Sequence, residues 1–299
     1  MLAAGSLLAA PVIGRTAGLF ETPARLTILH TNDTHSRIDP FPMDGGRNQG
    51  MGGVAARSEL IRRIRGEEEH VLLLDAGDIF QGTPYFNVYK GEPEIKAMTA
   101  MAYDAATVGN HDFDAGIENL AMQLKAHASF PMIVSNYDFS GTPMESLAVP
   151  YKIFRKGKLK IGVTGVGIEL KGLVPENLYG NTVYLDPVQK LNETAAELKR
   201  KNCDMVICLS HLGYKYSENK ISDLLLAKDS ENVDLIIGGH THTFMNQPEA
   251  VKNKRGEDVI INQVGFAGIQ LGRLDFIFEE QGKKKLTATQ AISVSKKTG

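Results

Sequence analysis

The run Gly109-Asn110-His111-Asp112-Phe113-Asp114 gathers an amide, an imidazole and two carboxylates into one short stretch. A β-rich segment, Ala105 to Val108, leads into it, and a helical pattern from Ala115 to about Ala126 leads out. This pattern predicts a strand-to-helix turn, the position at which open α/β sheets present their chemistry. The side chains of adjacent Asn110 and His111 must diverge, so one can bind something beneath the loop while the other faces a substrate above it. His111 and Asp114 are three apart and can pair if the first helical turn has begun. Taken alone, the hexapeptide also reads as a glycine turn with Asp114 capping a helix.

Four other strand ends weigh against that plainer reading. The first predicted strand ends in Asn32-Asp33-Thr34-His35, where a two-residue spacing on extended chain puts a carboxylate and an imidazole on one face. The second ends in Asp75-Ala76-Gly77-Asp78. Gly77 lets the backbone turn and brings the Asp78 carboxylate close to whatever it binds, whereas Asp75, at the strand terminus, is expected to satisfy loop amides. Ser210-His211-Leu212-Gly213 closes another apolar run, and Gly238-Gly239-His240-Thr241-His242 supplies a further same-face pair behind glycines. In a doubly wound sheet such ends lie along one rim. Five of the eight histidines fall in these motifs. His30, inside a strand and of opposite parity to Asp33, is expected to be structural, and His70 and His127 to lie at the surface.

Asp33, Asp78 and Asn110 with His35, His211, His240 and His242 make a donor set of oxygen and imidazole without thiolate. That mixture suits Mn, Zn, Fe or Co and argues against an all-oxygen Ca or Mg cage. It is too large for one tetrahedral ion and suits two. The charge of two divalent ions exceeds that of the Asp33 and Asp78 carboxylates by the amount a phosphate dianion balances. Such ions sit about 3.5–4 Å apart and hold a hydroxide between them for in-line attack on phosphorus.

The elements that must position these groups alternate along the chain. Strands are expected at Leu26–Thr31, Val71–Leu74, Ala106–Val108, Met132–Val134, Ile161–Val166, Met205–Leu209, Leu235–Ile237, Val259–Val264 and Leu274–Phe278. Helices are expected near Val54–Arg65, Pro93–Met101, Ala115–Ala126 and Pro187–Lys201. The last is the best marked. Asp186 caps it, Pro187 takes the first position and Gln189 completes a box-like signal, while Val188, Leu191, Ala195 and Leu198 form its apolar stripe. Towards the C-terminus, Leu286 to Val294 alternates like a strand with one wet face. No repeat, low-complexity tract or long linker interrupts the pattern. The expected organisation is a leader over residues 1–24 followed by one domain over 25–299.

Composition narrows the function classes. A 42% hydrophobic content supports a large core, and a net charge of −2 without a basic, aromatic-interleaved stripe gives no sign of nucleic-acid binding. Lys283 to Lys285 follow Gly282 and read as a solvated hairpin turn. Cys203 and Cys208 would lie about 16 Å apart on extended chain, too far to bridge, and are expected to be buried thiols. Leu2 to Gly14 is apolar and small-residue-rich ahead of the first positive charge, Arg15. This resembles the core of an export signal lacking its basic start, and it is too short to span a membrane. The alternative is a disordered or docked arm. Export to a periplasmic or extracellular compartment is the expectation.

With these motifs assembled, the chain resembles the calcineurin-like metallophosphoesterases, and within them the catalytic domain of the 5′-nucleotidase family, from about Leu26 to Val294. The carrying set is Asp33-x-His35, Gly77-Asp78, Gly109-Asn110-His111-Asp112, His211 and Gly239-His240-x-His242, with Phe113-Asp114 and Gln81-Gly82-Thr83 favouring the nucleotidase branch. The resemblance implies an αββα four-layer sandwich of two mixed sheets flanked by helices. It implies that Asp33, His35 and His242 hold one metal, that Asn110, His211 and His240 hold another, and that Asp78 bridges them. It implies that His111, oriented by Asp114, contacts the phosphoryl group or leaving oxygen. The family's second, substrate-binding domain is not in this sequence, so a separate substrate-binding chain or self-association is an expectation too. The substrate class is phosphate monoesters, with nucleotides foremost. The alternatives are a 2′,3′-cyclic-nucleotide or nucleotide-sugar phosphodiesterase with the same centre, or a non-catalytic metal-binding subunit, for which His111 and Asp114 would be superfluous.

Overall fold

The computed structural model describes residues 23–279 and 283–295. The leader expected over 1–24 lies outside these residues except at its end, as does Gly282. The first strands are β1 (Ala24–Thr31), β2 (Val71–Asp75), β3 (Ala105–Ala106), β4 (Met132–Ile133), β5 (Tyr137–Asp138), β6 (Ala148–Val149), β7 (Tyr151–Lys156) and β8 (Leu159–Gly167). There follow β9 (Val183–Tyr184), β10 (Met205–His211), β11 (Leu235–Gly238), β12 (Glu249–Lys252), β13 (Asp258–Asn262), β14 (Gln270–Phe278) and β15 (Lys284–Ser293). The helices are α1 (Val54–Glu67), α2 (Pro84–Tyr89), α3 (Glu92–Ala100), α4 (Ile117–His127), α5 (Glu176–Tyr179), α6 (Pro187–Arg200) and α7 (Asp223–Asp229), with a 3₁₀ turn at His111–Phe113.

One sheet has the order β15-β14-β1-β2-β3-β4-β6 and the other β12-β13-β11-β10-β8-β7, while β5 and β9 form a small ribbon. Both large sheets are mixed: β1, β2 and β3 run parallel beside antiparallel β14, and β8, β10 and β11 run parallel beside antiparallel β7. Alternation along the strands builds the layers. In β10, Met205, Ile207 and Leu209 join Leu72 and Leu74 of β2 in a core between the sheets. The intervening Val206 and Cys208 pack on Leu191, Ala195 and Leu198 of α6 and on Leu226 of α7. Leu29 and Leu73 face the other way, towards Leu60, Ile61 and Ile64 of α1 and Leu120 and Leu124 of α4. Helix, sheet, sheet and helix are therefore stacked as expected. Each fully buried leucine or isoleucine contributes about 1.5–3 kcal/mol, so burial on both faces rather than local propensity holds these strands.

Register brings the strand ends level. Thr31 pairs with Asp75 and Asp75 with Ala106 in one sheet, and Ser210 pairs with Gly238 in the other. Every chemical motif thus starts from the same rim. His30 is fully buried, with Nε2 accepting from Asn262 Nδ2 at 2.9 Å, and both cysteines are free and buried. Asp186 caps α6 by accepting from Gln189 N at 2.7 Å.

Several local expectations need correction. The Gln189 side chain donates to Glu193 Oε1 instead of closing a capping box. Lys284 opens β15 and pairs with Asp234 Oδ1 at 2.7 Å, so it is not part of a solvated turn. The helix after the hexapeptide begins at Ile117, because the 3₁₀ turn and Gly116, at φ 90°, come first. The sequence reading did not include β5, β6, β7, β9, β12, α2, α5 or α7. Of these, β7 and β12 are edge strands with exposed, charged positions and the rest are short, so their apolar periodicity is diluted.

Candidate metal centre

The loops at the rim owe their shape to backbone that side chains seldom adopt. Asp33 (φ 50°), His35 (φ 47°), Asp78 (φ 56°), His240 (φ 71°) and His242 (φ 51°) are all left-handed. Each such residue costs of order 1–3 kcal/mol and persists only where its surroundings hold it. The loops brace one another: Asp33 N donates to Gly77 O at 2.9 Å and His35 N to Asp78 O at 3.1 Å. Asp33 and His35 do converge, but through this left-handed turn and not through extended alternation. The same holds for His240 and His242.

Asp33, His35 and His242 come together as one group able to hold a cation. His242 Nε2 lies 3.3 Å from Asp33 Oδ1, and His35 Nε2 lies 3.9 Å from the same atom. His35 Nδ1 faces the Phe80 carbonyl at 3.2 Å, which assigns its proton there and leaves Nε2 a lone pair. That lone pair meets His242 Nε2 at 2.9 Å, and the His242 ring is stacked on Phe266 with centroids 5.1 Å apart.

Asp78, His211 and His240 form a second such group. His211 Nδ1 donates to the Ala76 carbonyl at 2.7 Å, so its buried Nε2 points at Asp78 Oδ2, 3.0 Å away, without hydrogen-bond geometry. Asn110 Oδ1 joins this side, 2.9 Å from His240 Nδ1. Asp78 Oδ2 also lies 3.9 Å from His35 Nε2, while its Oδ1 accepts from His111 N at 2.8 Å. An imidazole nitrogen and a carboxylate oxygen held this close are stabilised by a cation that both can bind, a proton or a metal ion. The donor chemistry fits divalent transition metals. A Cβ at Gly109 would stand 2.1 Å from Asp78 Oδ1, so only glycine lets this carboxylate approach.

Residues 26–244 match the family model described as calcineurin-like phosphoesterase. The chain belongs to that family. A snake venom 5′-nucleotidase of Gloydius brevicauda is 34% identical in an alignment 315 positions long that covers 99% of this chain and 52% of that protein. The 5′-nucleotidase of Homo sapiens is 34% identical in an alignment of 291 positions that covers 91% of this chain and 49% of that protein. A crystal structure of the 5′-nucleotidase precursor from Thermus thermophilus superposes with a TM-score of 0.79 at 33% identity, over 91% of this chain and 54% of that one. The chain spans about half the length of the curated relatives it matches.

In this phosphoesterase the remaining member of the hexapeptide has a separate place. His111 Nδ1 meets Asp114 Oδ2 at 2.8 Å across the 3₁₀ turn, and the side chain is 39% exposed, so Nε2 is free to face solvent or substrate. Asp114 is a partner of His111 and not the cap of α4, a position that Gly116 takes. Sequence reasoning missed Asp112. Its carboxylate accepts from the amides of Asp78, Ile79, Phe80 and Gly109, at 3.2, 2.9, 3.0 and 2.8 Å, and so ties the Asp78 loop to the His111 loop. The signal available was an acidic residue inside a tight glycine turn, a place where loop amides need an acceptor. Asn32 does similar work, linking Asp33 to the Val264–Gly265 segment. Asp75 satisfies Thr31 Oγ1 and Gly77 N as expected, and burial pushes its carboxyl up to about 7.

Electrostatics at the rim of the phosphoesterase divide the imidazoles into two kinds. Burial holds the His240 imidazole down at about 4 and lowers His35 as well, so both keep free lone pairs at neutral pH. Burial also disfavours charge on His211, but the adjacent Asp78 carboxylate outweighs it and pushes His211 up to about 10. Burial would raise Asp78; His211, His35 and His111 overcome that and lower it. The hydrogen bond to Asp114 raises His111, with burial opposing.

Proposed function

We propose that the chain hydrolyses phosphate monoesters, nucleotides foremost, at two divalent transition-metal ions. Asp33, His35 and His242 hold one, Asn110, His211 and His240 hold the other, and Asp78 serves both. The observation that carries this reading is the position of Asp78 Oδ2, which faces His211 Nε2 at 3.0 Å and His35 Nε2 at 3.9 Å, one member of each trio. When bound, two such ions supply a nucleophilic hydroxide at neutral pH and neutralise phosphoryl charge.

The chain's own groups do the rest. In hydrolysis an oxygen from water bonds to phosphorus as the ester P–O bond breaks, and the leaving oxygen departs as an alcohol once it gains a proton. His111, with Nδ1 committed to Asp114, presents Nε2 to the phosphoryl and leaving oxygens. Asp114 favours the imidazolium, so His111 both stabilises transition-state charge and donates a proton. Asp112 and the Ala76 carbonyl keep Asp78 and His211 aimed. The nucleoside end of the substrate is left to groups outside this site. Export belongs to the same reading and is supported by the venom origin of one relative. Among the described residues no helix is long and apolar enough to cross a membrane.

The test is elemental analysis combined with turnover of AMP, CMP, a 2′,3′-cyclic nucleotide and p-nitrophenyl phosphate with Mn supplied. The expected result is two ions per chain, monoesters turning over faster than the diester, and little discrimination between AMP and CMP. One ion per chain would overturn the dinuclear reading, and a diester preference would replace it with a phosphodiesterase. Strong base discrimination by a monomer would refute the outsourced recognition.

A further inference from the structure

Beside the His35 loop lies a cavity of about 10 Å³ whose walls include Thr34, Ser36, Arg57, Ile79 and Glu94. Its polar lining is poorly satisfied. Glu94 and Arg57 are each 3% exposed. Among the described residues no hydrogen bond of good geometry reaches either carboxylate oxygen of Glu94, Nε of Arg57, Nε of Arg37 or Oγ of Ser36; burial raises the Glu94 carboxyl, and the nearby Ser36 hydroxyl is the main group opposing it. Buried ionised groups persist only when paired or hydrogen-bonded. Here donors and acceptors are complementary: two guanidinium N–H groups and a hydroxyl on one side, a carboxylate on the other. A void of this size holds one water, provided that polar partners surround it.

We propose that a single trapped water joins the Glu94 carboxylate to Arg57 and Ser36, and that through it Glu94 is a positioning residue for His35. Ser36 is left-handed at φ 53°, next to left-handed His35, and such backbone survives only where it is over-determined. Its amide is tied to Ile79 O at 2.9 Å and its carbonyl accepts from Thr83 Oγ1 at 2.8 Å. The hydroxyl is the remaining anchor, and Ser36 lines the same cavity as Glu94 of α3. With the carboxylate removed, Ser36 and Arg57 lose their shared acceptor, and the His35 turn loses one of the contacts that hold it.

This inference rests on the reading of Asp33, His35 and His242 as metal ligands, and the test separates the two. Mn is titrated calorimetrically into chelator-treated wild type, Glu94→Gln and Glu94→Leu, and a high-resolution crystal structure of the wild type is examined at the cavity. Supporting groups behind metal ligands typically change affinity by about 10–100-fold, and Glu94 acts one contact further out. The expected result is therefore about a 10-fold weaker affinity for one of the two ions in Glu94→Leu, with the other unchanged. Glu94→Gln, which keeps the carbonyl acceptor, should restore it, as a merely space-filling role would not require. A water within hydrogen-bonding distance of Glu94 should appear in the crystal. If Glu94→Leu does not fold, Ser36→Ala must show the same one-ion loss. Wild-type affinity for both ions in the leucine variant, or a dry cavity, overturns the proposal. A wild type that binds fewer than two ions sinks the dinuclear reading instead, and the crystal then decides the water on its own.

Discussion

Mild acid should destabilise this phosphoesterase through one histidine that takes no part in its chemistry. His30 lies in β1, fully buried, and its ring sits so close to Gly272 of β14 that a Cβ there would come within 2.1 Å of Nε2. Burial pushes its pKa from 6.5 down to about 3. The folded chain keeps the ring neutral, while the unfolded chain protonates it near 6.5. The contribution of His30 is therefore fully present above pH 6.5 and is lost as pH falls towards 3. At 1.36 kcal/mol per unit, acidification from 6.5 to 5 removes about 2 kcal/mol, and the whole window removes about 5 kcal/mol. Denaturant unfolding at pH 7 and pH 5, in chelator so that metal release adds nothing, would measure this in wild type and His30→Gln. The glutamine retains an acceptor for Asn262 without a titrating ring. The wild type should lose about 2 kcal/mol more than the variant between the two pH values. Equal losses, or an NMR titration of His30 centred near 6.5, would refute the reasoning.

Three further outcomes follow from the rim. Asp78→Asn should lower occupancy at both metal positions, because one oxygen faces both trios; full occupancy by elemental analysis would contradict the shared role. His111→Asn should retain both ions yet lose kcat on AMP by roughly 10²–10⁴-fold, with a smaller but substantial loss on p-nitrophenyl phosphate and a weaker version of the same pattern in Asp114→Asn. Unchanged rates would remove His111 from the mechanism, and a loss matching missing metal would make it a ligand. Gly109→Ala should displace Asp78 and weaken Mn binding at both positions, and an unaltered titration would show that the loop relaxes at no cost.

The layers were legible because burial writes itself into periodicity. Strands such as β2 and β10 are apolar at nearly every position and end abruptly in Asp or His, which marks both a buried strand and its chemical end. The donor set was legible for a related reason: a cluster of Asp and His at five separate strand ends has no packing explanation. What could not be read was backbone. Asp33 with His35, and His240 with His242, were paired by a period-2 argument that reached the right neighbours through the wrong geometry. Left-handed φ at aspartate and histidine leaves no mark in composition. Asp112 and Glu94 were harder for a different reason. Of the four amides Asp112 accepts from, only that of Gly109 is near in sequence, and the groups that share a cavity with Glu94 lie far from it along the chain.

Each trio draws on both sheets. His242 crosses from the loop after β11 to meet Asp33 and His35, and Asp78 crosses from the loop after β2 to meet His211 and His240. Neither half of the sandwich carries a complete set. A cation seated at either trio would thus be a rivet through the two halves at one edge, while at the opposite edge Lys284 of β15 already ties one sheet to Asp234, beside β11 of the other. Metal loading then becomes a mechanical variable. A chelator would then remove a tie between the sheets as well as the ions, leaving that rim to packing and to the hydrogen bonds among its loops, such as His211 to the Ala76 carbonyl and the His240 amide to Asp33.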